Sequence, residues 1–456
     1  MQTDFEALCI EIFARTRGQI LPGLERMNAA LSAFEYAQRP HKPTVLIAGT
    51  NGKGSTAAFL WQMLAQAKFS CGLYTSPHIK SFAERFLCFP QACTNQELLN
   101  TANSIQEKLR ENIWDELTFF EIATLLAIEI FYSKKLDVEV FEVGLGGRFD
   151  ATNSLAPDIS IVTSIGYDHQ EYLGNDLLSI AKEKLGIARA GKPLFYGGGP
   201  IWGEPGFERF FELLEKTGSE LHIYGRDFWL KNGECQFKDG DTLKLSKQAE
   251  SLPRFLQQNY CVALAAFREF SLSRKRQENK AHKSYTNEME NAALEAIKNK
   301  NLPRPPSLVG RFETRKFQTN RSKENYLLLL DVCHNISGIE VFLDAVKRLP
   351  HADDLKNTIC FVSILREKAI NEMLDQLRSF FNKIILFQIN NQRTFSRDQL
   401  NAQHNDLKCF SDFGAAWQQQ AKIEKQKPDV PWVICGSVMA IGETLVYFEK
   451  NGEFLT

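Results

Sequence analysis

The sequence predicts an α/β fold in two parts: a P-loop-containing parallel-sheet domain followed by a smaller α/β domain. Three observations carry this reading. Apolar, β-rich runs alternate with helical stretches along most of the chain, the pattern of a parallel sheet wrapped by helices. A glycine-rich turn, Gly49-Thr50-Asn51-Gly52-Lys53-Gly54-Ser55-Thr56, joins the first of these runs to a helical segment. A charged stretch, 272–306, is poor in aromatics and ends in a proline cluster, dividing the chain into 1–302 and 303–456.

The elements follow in order. Residues 4–16 and 24–37 have helical spacing. TVLIAG (44–49) reads as a strand, and a helix is expected from Ser55. VEVFEVG (138–144), DISIVTSIG (158–166) and KPLFYGG (192–198) are further strands, separated by helical stretches that include 121–134 and 177–190. The 272–306 stretch reads as a surface excursion plus a helix. Its glutamates offset its lysines, which favours a solvated surface over an RNA-binding one. Beyond it, 326–335, 358–365, 383–390 and 431–438 read as buried strands.

A chain of 456 residues is long for one core and suits two α/β domains. With 44% hydrophobic and 24% charged residues it is globular, not disordered. Lysine plus arginine (54) balances aspartate plus glutamate (55), so neither nucleic acid nor an anionic membrane is an expected partner. The N-terminus carries acidic residues among its apolar positions and is not a secretory signal. No uncharged apolar run approaches a membrane span. A cytoplasmic monomer is expected. The ten cysteines form no C-x-x-C pair and several sit in apolar runs, so they read as reduced and structural.

The residues Gly49 to Thr56 point to phosphate binding. Glycines let the backbone approach an anion closely, and the N–H groups of a helix start stabilise its charge. Lys53 is placed to neutralise β/γ-phosphate charge, and Ser55 offers Mg²⁺ a hydroxyl. A glycine separates Lys53 from Ser55, unlike the general P-loop ending G-K-[ST].

That variant resembles the P-loop of folylpolyglutamate and dihydrofolate synthases, within the wider Mur-type ligases. Further segments resemble family motifs in order. They are Thr75-Ser76-Pro77-His78 with Glu84-Arg85, Leu117-Thr118-Phe119-Phe120-Glu121, Glu142 to Arg148 with Asp150 to Asn153, and Ile165 to His169 with Leu173-Gly174. Then come Ile180 to Lys184 with Gly186-Ile187, Gly310-Arg311-Phe312-Glu313, Asp331 to Asn335, Gly436-Ser437 and Gly442-Glu443.

The resemblance implies an ATP-dependent ligase that adds L-glutamate to a folate or dihydropteroate carboxylate. Amide formation in water is uphill. Phosphorylating the carboxylate gives an acyl phosphate that an amine can attack, and Mg²⁺ and lysine neutralise the transferring charge. Gly49, Thr50, Asn51, Gly52, Lys53, Gly54, Ser55 and Thr56 would bind ATP, with Asn259 on the adenine side. Arg311 and His334 would contact its phosphates and Asp331 its ribose, ATP bridging the two domains. Ser55 and Glu142 would hold one Mg²⁺, and Ser76, Glu142 and His169 a second. Lys184 would be carbamylated, joining Lys53, Glu142 and His169 as catalytic residues. Ser76, Pro77, His78 and Asp150 would meet the folate, with Phe82 or Phe86 as stacking partners, although core packing suits either phenylalanine better.

Leu185, Val332, Cys333 and Ile336 depart from the family pattern. Cys333 next to His334 is no dyad, since neighbours on an extended segment point to opposite faces. Two rival functions fit the chain less well. A cell-wall amino-acid ligase carries an added N-terminal UDP-binding domain, for which a P-loop at residue 49 leaves no room. A non-enzymatic nucleotide-binding regulator would not need Ser76, Glu142, His169 and Lys184 together.

Overall fold

The computed structural model describes residues 2–15, 21–109, 111–198, 207–245, 247–278, 309–320, 322–391 and 393–455. The chain divides into two compact units. One comprises Met1–His78 and Phe82–Pro306, the other Ile79–Ser81 and Ser307–Thr456. The expected boundary at 302/303 and most of the 272–306 excursion lie outside the described residues. Up to Glu278 the stretch continues a helix, Arg254–Glu278.

The first unit is built on a seven-stranded sheet of order β3-β2-β4-β1-β5-β6-β7. Its strands are β1 (Thr44–Ala48), β2 (Cys71–Tyr74), β3 (Phe86–Phe89), β4 (Val138–Glu142), β5 (Ile159–Val162), β6 (Pro193–Tyr196) and β7 (Glu220–Ile223). All pair in parallel except β3, which runs antiparallel to β2. Strands β1, β2, β4, β5 and β6 are buried along their whole length. Helices on both faces leave no solvated side, which is why burial in these strands does not alternate.

The chain leaves β1 for β2 on one side and later returns to β5 on the other. The crevice at the C-terminal ends of β4, β1 and β5 is therefore a topological switch point, the usual ligand position in such sheets.

A small antiparallel sheet, β8 (Phe228–Lys231), β9 (Glu234–Phe237) and β10 (Thr242–Lys244), is an addition the sequence reading did not anticipate. It also corrects the reading of the cysteines as all reduced. Cys235 on β9 and Cys261 on the helix Arg254–Glu278 form a disulfide, their Cα atoms 5.8 Å apart. A separation of 26 residues gives no sign of this, because tertiary packing alone brings strand and helix together.

The second unit carries its own seven-stranded sheet, of order β15-β14-β13-β16-β12-β11-β17. Its strands are β11 (Glu313–Thr319), β12 (Asn325–Leu330), β13 (Ile359–Val362), β14 (Lys383–Phe387), β15 (Lys408–Phe410), β16 (Trp432–Cys435) and β17 (Gly452–Leu455). Strands β12 to β16 pair in parallel, while β11 and β17 form an antiparallel edge. Buried side chains pack on both faces of this sheet. Among the described residues, no helix is long and apolar enough to cross a membrane.

Candidate active site

Strand register assembles the first unit's site. Ile47 of β1 pairs with Glu142 at the end of β4, and Ala48 with Val162 at the end of β5. The loop after β1 therefore emerges between the ends of its two neighbours. Gly49 (φ 146°) and Gly52 (φ 86°) make its turns, in backbone regions that side chains rarely adopt. Gly52 then caps the helix Lys53–Gln66 without any side-chain cap bond, and the N–H groups of a helix start favour an anion.

Residues just after β5 brace this loop. Ser164 accepts from Thr50 N through its carbonyl at 2.9 Å and from Asn51 N through its hydroxyl at 3.0 Å. Thr163 Oγ1 donates to Asn51 O at 2.7 Å, and Thr50 Oγ1 donates to Gly166 O at 3.0 Å. Sequence reasoning did not single out Thr163 or Ser164. Two hydroxyl residues directly after a buried strand beside the loop strand were the available signal. Asn259 also reaches the loop: a Cβ on Gly52 would lie 2.8 Å from its Oδ1.

Glu142 is buried at the rim. Its Oε2 accepts from the Thr75 hydroxyl and from Ser76 N, the latter at 3.0 Å. Its Oε1 has no hydrogen-bond partner among the described residues. A Cβ on Gly54 would lie 3.4 Å from either oxygen, so the carboxylate faces the start of the phosphate-loop helix. The hydroxyls of Ser55 and Ser76 likewise have no partner among the described residues. One carboxylate and two hydroxyls, all hard oxygen donors, fit Mg²⁺. Among the described residues, no three His, Cys, Asp or Glu side chains form a metal cluster. His169 caps the short helix Gln170–Leu173 with φ 50°, and its Nε2 lies 3.9 Å from Asp168.

Lys53 and Lys184 converge on one carbonyl. Lys53 Nζ donates to Gly49 O at 3.0 Å, and Lys184 Nζ donates to the same oxygen at 3.1 Å. Lys184 is 3% exposed. Burial, and next the nearby Lys53 ammonium, push its amine down to about 7, with Asp168 opposing. The bulky Leu185 does not prevent this placement. The helix Leu177–Leu185 ends there, five residues earlier than the pattern 177–190 suggested, and Gly186 caps it.

On the segment that follows β2, Arg85 Nε donates to His78 Nδ1 at 2.9 Å. Burial, with Arg85 second, lowers the imidazole to about 4, so it is neutral near pH 7. Asp150 commits both carboxylate oxygens internally: Oδ2 accepts from Gly144 N and Leu145 N, Oδ1 from Thr152 N and Oγ1. Phe82 and Phe86 are 4% and 2% exposed, in keeping with the core packing that the sequence favours over a stacking role. Phe13 is the accessible ring of that cluster, 40% exposed and stacked on Phe119 at 4.7 Å.

In the second unit the two matching motifs meet. Asp331, buried at the end of β12, accepts from Phe312 N and Cys333 N, each at 2.7 Å. Burial raises its carboxyl, and Arg311 opposes the rise. His334 Nδ1 lies 3.0 Å from Val332 O. Val332 and Cys333 are buried, so both pack inward. The Cys333 thiol is pushed well up by burial and is no nucleophile. Asn335 caps the helix Ile336–Lys347 by accepting from Gly338 N at 2.8 Å, and Ile336 takes its first position.

A family model, the Mur ligase middle domain, matches residues 47–196. Dihydrofolate synthase/folylpolyglutamate synthase of Escherichia coli (strain K12) is 30% identical over 432 residues, covering 93% of this chain and 90% of that protein. A solved bifunctional folylpolyglutamate synthase/dihydrofolate synthase from Yersinia pestis, complexed with AMPPNP and Mn ion, superposes with a TM-score of 0.74 at 26% identity, covering 98% of both chains. An Escherichia coli structure in complex with DHPP and ADP gives 0.76 at 26% identity, again over 98% of both. Similarity of this extent, over a chain whose glycine-rich loop, buried glutamate and buried lysine meet at the C-terminal ends of β1 and β4, shows that the chain belongs to the dihydrofolate synthase/folylpolyglutamate synthase family.

Proposed function

We propose that this chain is an ATP-dependent ligase that joins the amino group of L-glutamate to a carboxylate of a folate or dihydropteroate. The carboxylate is phosphorylated first, glutamate attacks the acyl phosphate, and ADP and phosphate leave. The observation that carries this reading is the convergence of Lys53, Lys184 and Glu142 around the loop that begins at Gly49.

Each residue has a part in it. Gly49 to Thr56 cradle the phosphates, with Asn259 beside the loop. Lys53 leaves the Gly49 carbonyl to neutralise phosphoryl charge. Ser55, Ser76, Glu142 and His169 hold two Mg²⁺ ions, which supply Lewis-acid neutralisation of the transferring phosphoryl group. Lys184 carries a carbamate: CO₂ adds to its neutral Nζ and a proton leaves to solvent, turning a cation into a carboxylate. An amine pushed down to about 7 supports this, because half or more of it is neutral at physiological pH. Ser76, Pro77, His78 and Asp150 form the folate side, Asp150 by shaping the 144–152 turn. Arg311, Asp331 and His334 are the second unit's nucleotide residues. The protein acts as a cytoplasmic monomer.

The test is incubation of pure protein with ATP, Mg²⁺, L-glutamate and either dihydropteroate or tetrahydrofolate. Glutamate-dependent ADP release with a product heavier by one glutamyl residue is expected. ADP release that ignores the pteridine substrate would refute the proposal.

A further inference from the structure

Thr75 lies directly after β2 and precedes Ser76. The β2–β4 register pairs Tyr74 with Phe141, so the next residues along, Thr75 and Glu142, come out side by side. The Thr75 backbone is pinned, its N–H donating to Arg85 O at 3.0 Å. Its hydroxyl donates to Glu142 Oε2, and Ser76 N donates to the same oxygen. Oε1 accepts no hydrogen bond among the described residues, on a side chain that is 2% exposed.

The terminal torsion of a glutamate is broad and selects no carboxylate orientation by itself. Two donors on one oxygen remove that freedom. We infer that Thr75 is a positioning residue, whose hydroxyl fixes the Glu142 carboxylate through Oε2 and leaves Oε1 to a divalent cation. The inference rests on the proposed metal role of Glu142. Hydrogen bonds to a ligating carboxylate orient it and raise affinity for the ion, as other outer partners of metal ligands do.

Thr75→Val removes the hydroxyl and keeps the shape, whereas Thr75→Ser keeps the hydroxyl. Mn²⁺ binding to the full chain in the presence of AMPPNP is read by electron paramagnetic resonance, with circular dichroism as the control for folding. Thr75→Val is expected to bind Mn²⁺ roughly 10-fold more weakly, while Thr75→Ser stays within about twofold of wild type. Turnover by Thr75→Val should recover at high Mg²⁺, which a merely structural lesion would not do. If Thr75→Val does not fold, Thr75→Ala carries the same expectation.

Mn²⁺ binding by Thr75→Val equal to wild type would overturn the inference alone. So would Thr75→Ser as weak as Thr75→Val, since a retained hydroxyl would then not suffice to orient the carboxylate. A wild-type protein that binds no Mn²⁺ with AMPPNP would remove the metal role of Glu142 and this inference together.

Discussion

Replacing Lys184 by methionine should abolish ligation and yet stabilise the fold, by an amount that depends on pH. The lysine is 3% exposed, and its amine is pushed from 10.5 to about 7. Above about 7 the folded chain holds it neutral, while the unfolded chain keeps it protonated up to 10.5. Between these values the unfolded state binds more protons, so wild-type stability rises with pH. Below about pH 7 the full cost applies: at about 1.36 kcal/mol per pH unit it reaches about 5 kcal/mol, an upper figure because the site relaxes. Near pH 9 it falls to about 2 kcal/mol by the same conversion. Methionine fills the space without that cost, and Lys53 still donates to Gly49 O. Urea midpoints followed by circular dichroism in CO₂-free buffer should therefore favour Lys184→Met strongly near pH 6 and much less near pH 9. A difference that stays constant across that range would refute the buried neutral amine.

Three further outcomes are expected. Glu142→Gln keeps the shape but loses the charge, and should raise the Mg²⁺ concentration for half-maximal activity at least ~10-fold; superimposable titrations would remove Glu142 as a ligand. Gly49→Ala places a Cβ against Thr163 Oγ1 at φ 146° and should destabilise the first unit by on the order of 3 kcal/mol in denaturant melts. Arg311→Ala should lower glutamate-dependent ADP release roughly 100-fold, with lysine restoring it only partly for want of the planar fork; equal rates in all three proteins would make Arg311 a surface residue.

What could be read from the sequence was what short spacing encodes. The strand, turn and helix around Gly49 to Ser55 are contiguous, so composition alone places them. Leu117 to Glu121 was recognised only as a family motif. The structure makes it a capping box, with Thr118 accepting from Glu121 N while Glu121 accepts from Thr118 N, and the S/T-x-x-E spacing was there to be read. The rest depended on register and distance in sequence. Ser164 bracing Asn51 joins positions 113 apart, and Lys184 on Gly49 O joins positions 135 apart. No local pattern forecasts such pairs. Cys235 and Cys261 were misread for the same reason, since apolar surroundings suit a buried thiol and a buried disulfide equally.

The second unit includes Ile79–Ser81, borrowed from early in the chain. Lys80 pairs there with Glu449 at 2.5 Å, and Gly442 lies so close to the Ile79 carbonyl that it has no room for a side chain. This unit is not a cassette. A recombination event or an expression vector that begins at residue 307 would transfer the sheet without the three residues that belong to the same unit, and would leave Glu449 without its Lys80 partner. Neither unit can be exchanged for a homologous part unless the donor also supplies, more than two hundred residues upstream, a matching Ile79–Ser81 segment.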